Sequence, residues 1–162
     1  MTIDRSTPDL GSLYQDVILD HYKRPRNQGE LESPDADVTV NNPSCGDTIR
    51  IQLDLSDDGR VEGVRFRGEG CSISQASVSM LTGLLEGRTA DEVDELAERF
   101  KRMLHGDDDA ARDKALGQAR ALQGVSKFPT RIRCAFLGWE AAQKAFEQGE
   151  ADRSAADEGP AS

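Results

Sequence analysis

Apolar positions along the chain follow one period at first, switch to a second, and then return to the first. Tyr14, Val17, Ile18 and Tyr22 stand at helical spacing within residues 13–22, with Ser12 placed to cap that helix and Pro25 to stop it. Residues 24–29 are rich in turn formers. From Asp37 the period becomes two. Val38 and Val40 alternate with polar residues, and Ile49, Ile51, Leu53 and Leu55 then face one way, the pattern of a half-buried strand. Asp57-Asp58-Gly59 predicts a hairpin, and residues 61–67 return with Val64 and Phe66 on one face.

The helical period resumes with Ile73, Ala76, Met80, Leu81 and Leu84, and Gly87 can end that helix. Thr89-Ala90-Asp91-Glu92 fits a capping box ahead of the stripe Val93, Leu96, Ala97, Phe100 and Leu104. The acidic run Gly106 to Asp109 interrupts the pattern, and residues 110–122 predict a weakly amphipathic, charged helix. Pro129 opens a last helix whose apolar face is Ile132, Ala135, Phe136, Trp139 and Phe146. The order is that of an α+β domain: a three-stranded antiparallel sheet with helices packed on one face. Residues 12–148 are expected to form the single domain, residues 1–11 a disordered N-terminus, and residues 149–162 a disordered acidic tail.

A length of 162 residues suits one domain of the usual ~100–200. Lys and Arg number 20 against 30 Asp and Glu, a formal net charge of -10. That balance argues against a nucleic-acid partner, which needs clustered cations. No apolar run reaches the ~18 residues of a membrane span. Residues 1–11 contain Asp4, Pro8 and Asp9 and no apolar stretch, so the reading expects no secretory signal and a cytoplasmic protein. Three cysteines are an odd count for a disulfide framework, and metal binding or thiol chemistry is the better expectation for them.

Cys45 lies in Asn42-Pro43-Ser44-Cys45-Gly46-Asp47, just before the second strand, and Cys71 in Gly68-Glu69-Gly70-Cys71-Ser72, just after the third. Both stand equally far in sequence from Asp58, where the hairpin folds, so antiparallel pairing returns them to one end of the sheet with the Asp47 carboxylate. Cys134 falls near the start of the last helix, between a positive helix end and Arg131 and Arg133, which favour a thiolate. Taken singly, each cysteine reads as a small core filler. Cys45 and Cys71 sit beside glycines in polar loops, where there is little core to fill. Three thiolates and a carboxylate are enough donors for tetrahedral zinc. His21 reads as a surface or capping residue, His105 as a partner of its helix C-terminus, and Asp107 to Asp109 as a solvated cluster. No serine of Ser72, Ser74, Ser77 and Ser79 has a histidine in a recognisable motif, which argues against a serine hydrolase.

These motifs resemble the U-type iron–sulfur assembly proteins, the NifU/IscU N-terminal-like family. The matching segments are Leu13-Tyr14 to His21-Tyr22 with Pro25-Arg26-Asn27, the Cys45 and Cys71 motifs, and Gly124 to Cys134. Arg133 stands where IscU-like members carry a histidine, and Gly106 to Gln123 looks like the insertion of the SufU branch. The resemblance implies a SufE/NifU-like fold and a zinc site of Cys45, Asp47, Cys71 and Cys134. It implies sulfur transfer from a PLP-dependent cysteine desulfurase of the SufS type to the Suf cluster-assembly machinery; the expectation for quaternary state, separate from the resemblance, is a monomer that docks on a dimeric desulfurase. By analogy Cys45 is the acceptor, released when a histidine of the partner takes its place on zinc, and Arg131 steadies the thiolate or is a plain surface arginine. A scaffold for a transient [2Fe-2S] cluster remains the alternative, because the same donors suit it. A purely structural zinc is the third.

Overall fold

The computed structural model of the chain describes residues 15–43 and 46–158, with side chains described as far as residue 149. Residues 15–23 form helix α1, which ends ahead of Pro25 as expected. Ser12, Tyr14, Ser44 and Cys45 lie outside the described residues.

The alternation predicted from the sequence is realised in strand β2, Asp47–Leu55, whose Ile49, Ile51 and Leu53 are fully buried. It pairs antiparallel with β1, Ala36–Asn42, on one side and β3, Val61–Glu69, on the other. The β2–β3 ladder runs from Thr48 opposite Glu69 to Asp54 opposite Gly63, with one register shift at Asp54/Leu55. The inner face of this meander meets helices α2, Ser72–Leu85, and α5, Pro129–Glu158. Its outer face carries a polar strap instead. Gln52 is buried there, accepting the Leu31 N–H at 2.8 Å and donating to Asp37 Oδ2 at 3.0 Å. Arg50 binds the same Asp37 carboxylate at 2.7 Å and holds it below the usual carboxylate range.

Helix α2 is buried along most of its length, because α5 crosses it where a glycine removes the steric barrier. A Cβ at Gly138 would stand 2.9 Å from Val78 Cβ. Trp139, the next residue, is fully buried with its ring 5.0 Å from that of Phe100. Phe100 belongs to helix α3, Ala90–Leu104, which opens with the expected capping box: Thr89 Oγ1 accepts the Glu92 N–H, and Glu92 accepts the Thr89 N–H. Its stripe of Val93, Leu96, Ala97, Phe100 and Leu104 is buried as the spacing predicts.

Two segments depart from the pattern. Residues 110–122 do not form one helix. Asp107 caps a single turn, α4, Asp108–Ala111, and Asp113 caps a 3₁₀ segment, Lys114–Lys127, interrupted by non-helical backbone at Gly117 (φ 54°). Each aspartate bonds amides ahead of it and restarts the chain, so one continuous helix loses to two capped short ones. The last helix, for its part, continues past Gln148 to Glu158. Gly149 is buried so closely on β2 that a Cβ there would lie 2.5 Å from Leu55 Cδ1. The Ala-rich residues beyond it add to a formed helix, and elongation is far easier than nucleation. Residues 1–11 and 159–162 lie outside the described residues.

Candidate metal centre

Three elements deliver donors to one end of the sheet. Asp47 begins β2, Cys71 is the N-cap residue of α2, and Cys134 lies in the second turn of α5. One ligand atom from each lies within 4.8 Å of the others. Asp47 and Cys134 are fully buried and Cys71 is half-buried. Tetrahedral zinc with Zn–S bonds of ~2.3 Å sets sulfur ligands roughly 3.8 Å apart, so closing around an ion requires only small movements.

The local sequence explains the approach. The ladder that pairs Thr48 with Glu69 brings Asp47 alongside Gly70. Gly70 has φ 135°, and a Cβ there would fall 2.0 Å from Asp47 Oδ1. Only glycine lets the carboxylate sit under the chain at this point. The next amide, Cys71 N–H, donates to Asp47 Oδ1 at 2.8 Å. Asp47 Oδ2 lies 3.8 Å from Cys71 Sγ. One carboxylate oxygen is thus anchored to backbone, and its other oxygen faces the sulfur.

Side chains around the donors complete the setting. Arg131 is held more firmly protonated by the charge of Cys71 first and of Cys134 second. Asn42 Nδ2 stands 3.9 Å from Cys134 Sγ. Ser74 Oγ lies 3.9 Å from Cys71 Sγ and donates to the Cys71 carbonyl at 3.1 Å. A concavity of about 720 Å³ lies between α1 and the 3₁₀ segment with Ile18, Ile73, Met103, Val125 and Phe128 in its lining. Its lining includes neither Asp47, Cys71 nor Cys134.

Of the residues singled out from sequence, Asp47, Cys71 and Cys134 converge and Arg131 stands beside them. Cys45 lies outside the described residues. Asn42 was not singled out, although a polar residue at an inward register position of β1 was a signal for it. His21 differs from expectation: it is buried, not a surface cap. Its Nδ1 lies 2.7 Å from Ser79 Oγ and its Nε2 2.5 Å from Gln118 Oε1. The Gln118 oxygen accepts, so Nε2 carries the proton and Ser79 donates to Nδ1. The imidazole ties α1 to α2 and to the 3₁₀ segment, partners that no spacing rule brings together. Burial pushes its pKa below the ordinary histidine value.

Known proteins share both the sequence and the fold. Residues 13–135 match the family described as NifU-like N-terminal domain. The chain is 46% identical over 143 residues to the zinc-dependent sulfurtransferase SufU of Bacillus subtilis, covering 88% of this chain and 95% of that protein. It is 42% identical over 139 residues to the iron–sulfur cluster assembly scaffold protein IscU of Streptococcus pyogenes, covering 86% of each. Among solved structures, the N-terminal part of a nitrogen-fixing NifU-like protein from Brucella abortus superposes with a TM-score of 0.75 at 27% identity, covering 83% of this chain and 92% of that one. No helix among the described residues is long and apolar enough to cross a membrane. With residues 13–135 matching that family and the SufU and IscU relatives aligned over most of its length, the chain belongs to the NifU-like N-terminal domain family.

Proposed function

We propose that this protein works in iron–sulfur cluster assembly as a zinc-dependent sulfur acceptor. Cys45 is the receiving thiol, and Cys45, Asp47, Cys71 and Cys134 hold the metal. The observation that carries this reading is the convergence of Asp47, Cys71 and Cys134 within 4.8 Å. Cys45 is two residues from Asp47, so chain length alone keeps their Cα atoms within about 7 Å. Two to three sulfurs and one carboxylate suit zinc, and Asp47 presents one unanchored oxygen toward them. Zinc, when bound, keeps its cysteines as thiolates and adds no redox chemistry of its own.

The donor is a PLP-dependent cysteine desulfurase of the SufS type carrying a persulfide. The Cys45 thiolate attacks the outer sulfur of that persulfide. A new S–S bond forms to Cys45 while the donor's S–S bond breaks. The donor leaves as a thiolate, and the outer sulfur keeps its proton as Cys45–S–SH. Gly46 has φ 72°, and a Cβ there would meet no atom of the described residues within 4 Å. Cys134 is buried in a helix and is a poor candidate for the same attack. Arg131 keeps a positive charge at the sulfurs while thiolate charge moves.

Incubation with such a desulfurase and cysteine is expected to add one sulfur to Cys45, read by peptide mass spectrometry, on protein with one zinc per chain. Arg131→Ala is expected to slow this transfer without releasing the metal. No sulfur adduct on any cysteine, together with unchanged desulfurase stimulation by Cys45→Ala, overturns the reading. The relation to the Streptococcus pyogenes scaffold protein supports a second reading, in which the same donors hold a [2Fe-2S] cluster as cargo. Anaerobic reconstitution and visible absorption, followed by transfer to an apo-acceptor, decide between the two.

A further inference from the structure

Asn42 is the last residue of β1 and is 2% exposed. Three connections meet at it. Its Cα partner across the ladder is Asp47. Its carbonyl accepts the Gly46 N–H at 2.9 Å, which closes the stretch of chain that contains Cys45. Its side-chain Nδ2 reaches to 3.9 Å from Cys134 Sγ. The amide oxygen would repel a charged sulfur, so the nitrogen must be the end that faces it. One buried residue therefore joins the base of the Cys45 segment, the carboxylate ligand and the fully buried sulfur of Cys134.

We propose that Asn42 is a positioning residue that sets Cys134 apart from Cys45: by donating an N–H to Cys134 Sγ it holds that sulfur as a permanent ligand. The inference rests on the reading of the centre as a thiolate metal site with Cys45 as acceptor. Thiolates sharing one ion are chemically alike, and a transfer protein needs one that leaves and others that stay. Burial restricts access to Cys134, yet burial does not reduce the electron density of its sulfur. An N–H directed at the sulfur does reduce it, because the hydrogen bond draws charge from the lone pair. The same bond fixes the sulfur's direction relative to Asp47, through the Asn42–Asp47 pairing. Asn42 meets Gly46 through its backbone carbonyl and Cys134 through its side-chain nitrogen.

The test uses the full chain. In protein loaded with ¹¹³Cd, nuclear magnetic resonance should show scalar coupling from a side-chain amide proton of Asn42 to cadmium through Cys134 Sγ. Metal-free protein supplies a second, independent readout. Asn42→Leu is close in volume and lacks the donor. It should raise alkylation of Cys134 relative to Cys71 about fivefold, the rate equivalent of one net hydrogen bond. Asn42→Ala should do the same, and cobalt-loaded forms of both should show the sulfur-to-cobalt band at longer wavelength. A cadmium-loaded protein without that coupling overturns the proposal, as do folded variants with the parent's alkylation ratio and band position. If the parent takes up no metal at all, the reading of the centre fails, and the alkylation ratio of the metal-free protein then decides the role of Asn42 by itself.

Discussion

The two ends of the β2–β3 hairpin are built from the same kinds of residue and do opposite things. At the turn end every strong polar group finds a neighbour within the same exposed corner. Ser56 N–H donates to the Arg60 carbonyl at 2.8 Å, Gly59 N–H to the Ser56 carbonyl at 2.9 Å, and Arg60 Nη1 to the Gly87 carbonyl at 2.9 Å. Ser56, Asp58 and Arg60 also bond one another. At the open end a buried carboxylate and two cysteine sulfurs are pressed together with Arg131 as the cation beside them. Once ionised, those donors repel one another in a setting that screens charge poorly. The turn end satisfies itself; the open end gathers anionic donors that a cation reconciles. That contrast locates the chemistry before any comparison with other proteins does.

Glycine substitution is the sharpest way to break the contrast. Both ends carry a glycine at positive φ, Gly70 at 135° and Gly87 at 76°. At Gly87 an added Cβ meets open space, so Gly87→Ala should destabilise by about 1 kcal/mol from backbone strain alone. At Gly70 the Cβ would meet Asp47 Oδ1 at 2.0 Å, and the carboxylate would have to leave its place under Cys71 N–H. Gly70→Ala should destabilise by about 3 kcal/mol and abolish tight metal binding. Urea melts and metal titration of the two variants check this. Equal losses at the two glycines would erase the distinction between the ends.

Charge removal separates function from fold. Asp47→Asn keeps an oxygen to accept the Cys71 amide and deletes the negative charge. Metal affinity should fall about tenfold or more, as expected for a weakened ligand set, while the stability of the metal-free protein stays level or rises because a buried charge has gone. Asp58→Asn at the turn end should leave metal binding untouched. Competition with a chromophoric chelator and thermal melts of the metal-free forms measure both quantities.

Much of this end was legible in the sequence because antiparallel pairing is arithmetic. Given one hairpin at Asp58, Asp47 and Cys71 have to meet, and the ladder places them together. Cys134 joins them by a different route. Its position depends on α5 settling on β1 and β2 and crossing α2 at Gly138, a contact between surfaces that no local period encodes. The region between α3 and α5 was legible only as charged and helical. Its true form depends on which aspartate side chains cap and on the single non-helical Gly117, choices worth about 1 kcal/mol each. His21 was misread for the same reason that Cys134 could not be placed by counting. Its partners Ser79 and Gln118 are far away in sequence, and only tertiary packing brings them to the ring.

His21 gives a pH test that the metal site does not enter. Because burial lowers its folded-state pKa, the unfolded chain binds this proton more tightly. Stability is therefore fully present above the unfolded value of ~6.5 and is lost as pH falls from there toward the folded pKa. The nearby charges are Asp20, which favours protonation, and Arg26, which opposes it. Metal-free protein melted between pH 7.5 and 5.5 should lose stability on acidification. His21→Gln, less stable at pH 7.5, should show a flatter profile across that window. A parallel fall in both proteins would mean that other groups dominate.

The smallest effect belongs at the turn end, and its smallness is the point. Arg60 faces Asp58 at 3.3 Å and Glu92 at 3.5 Å, and all three side chains are about half exposed or more. Exposed pairs of this kind contribute roughly 0–1 kcal/mol, because water already solvates both partners and salt screens them. Arg60→Gln keeps a donor for the Gly87 carbonyl and removes only the charge. It should change the melting free energy by about 0.5 kcal/mol or less, and that difference should shrink further at high salt. Metal affinity should match the parent. A large loss in this variant, or any change at the metal, would show that the two ends of the hairpin are coupled through the strands. The self-satisfied corner would then be part of the site and no longer its counterpart.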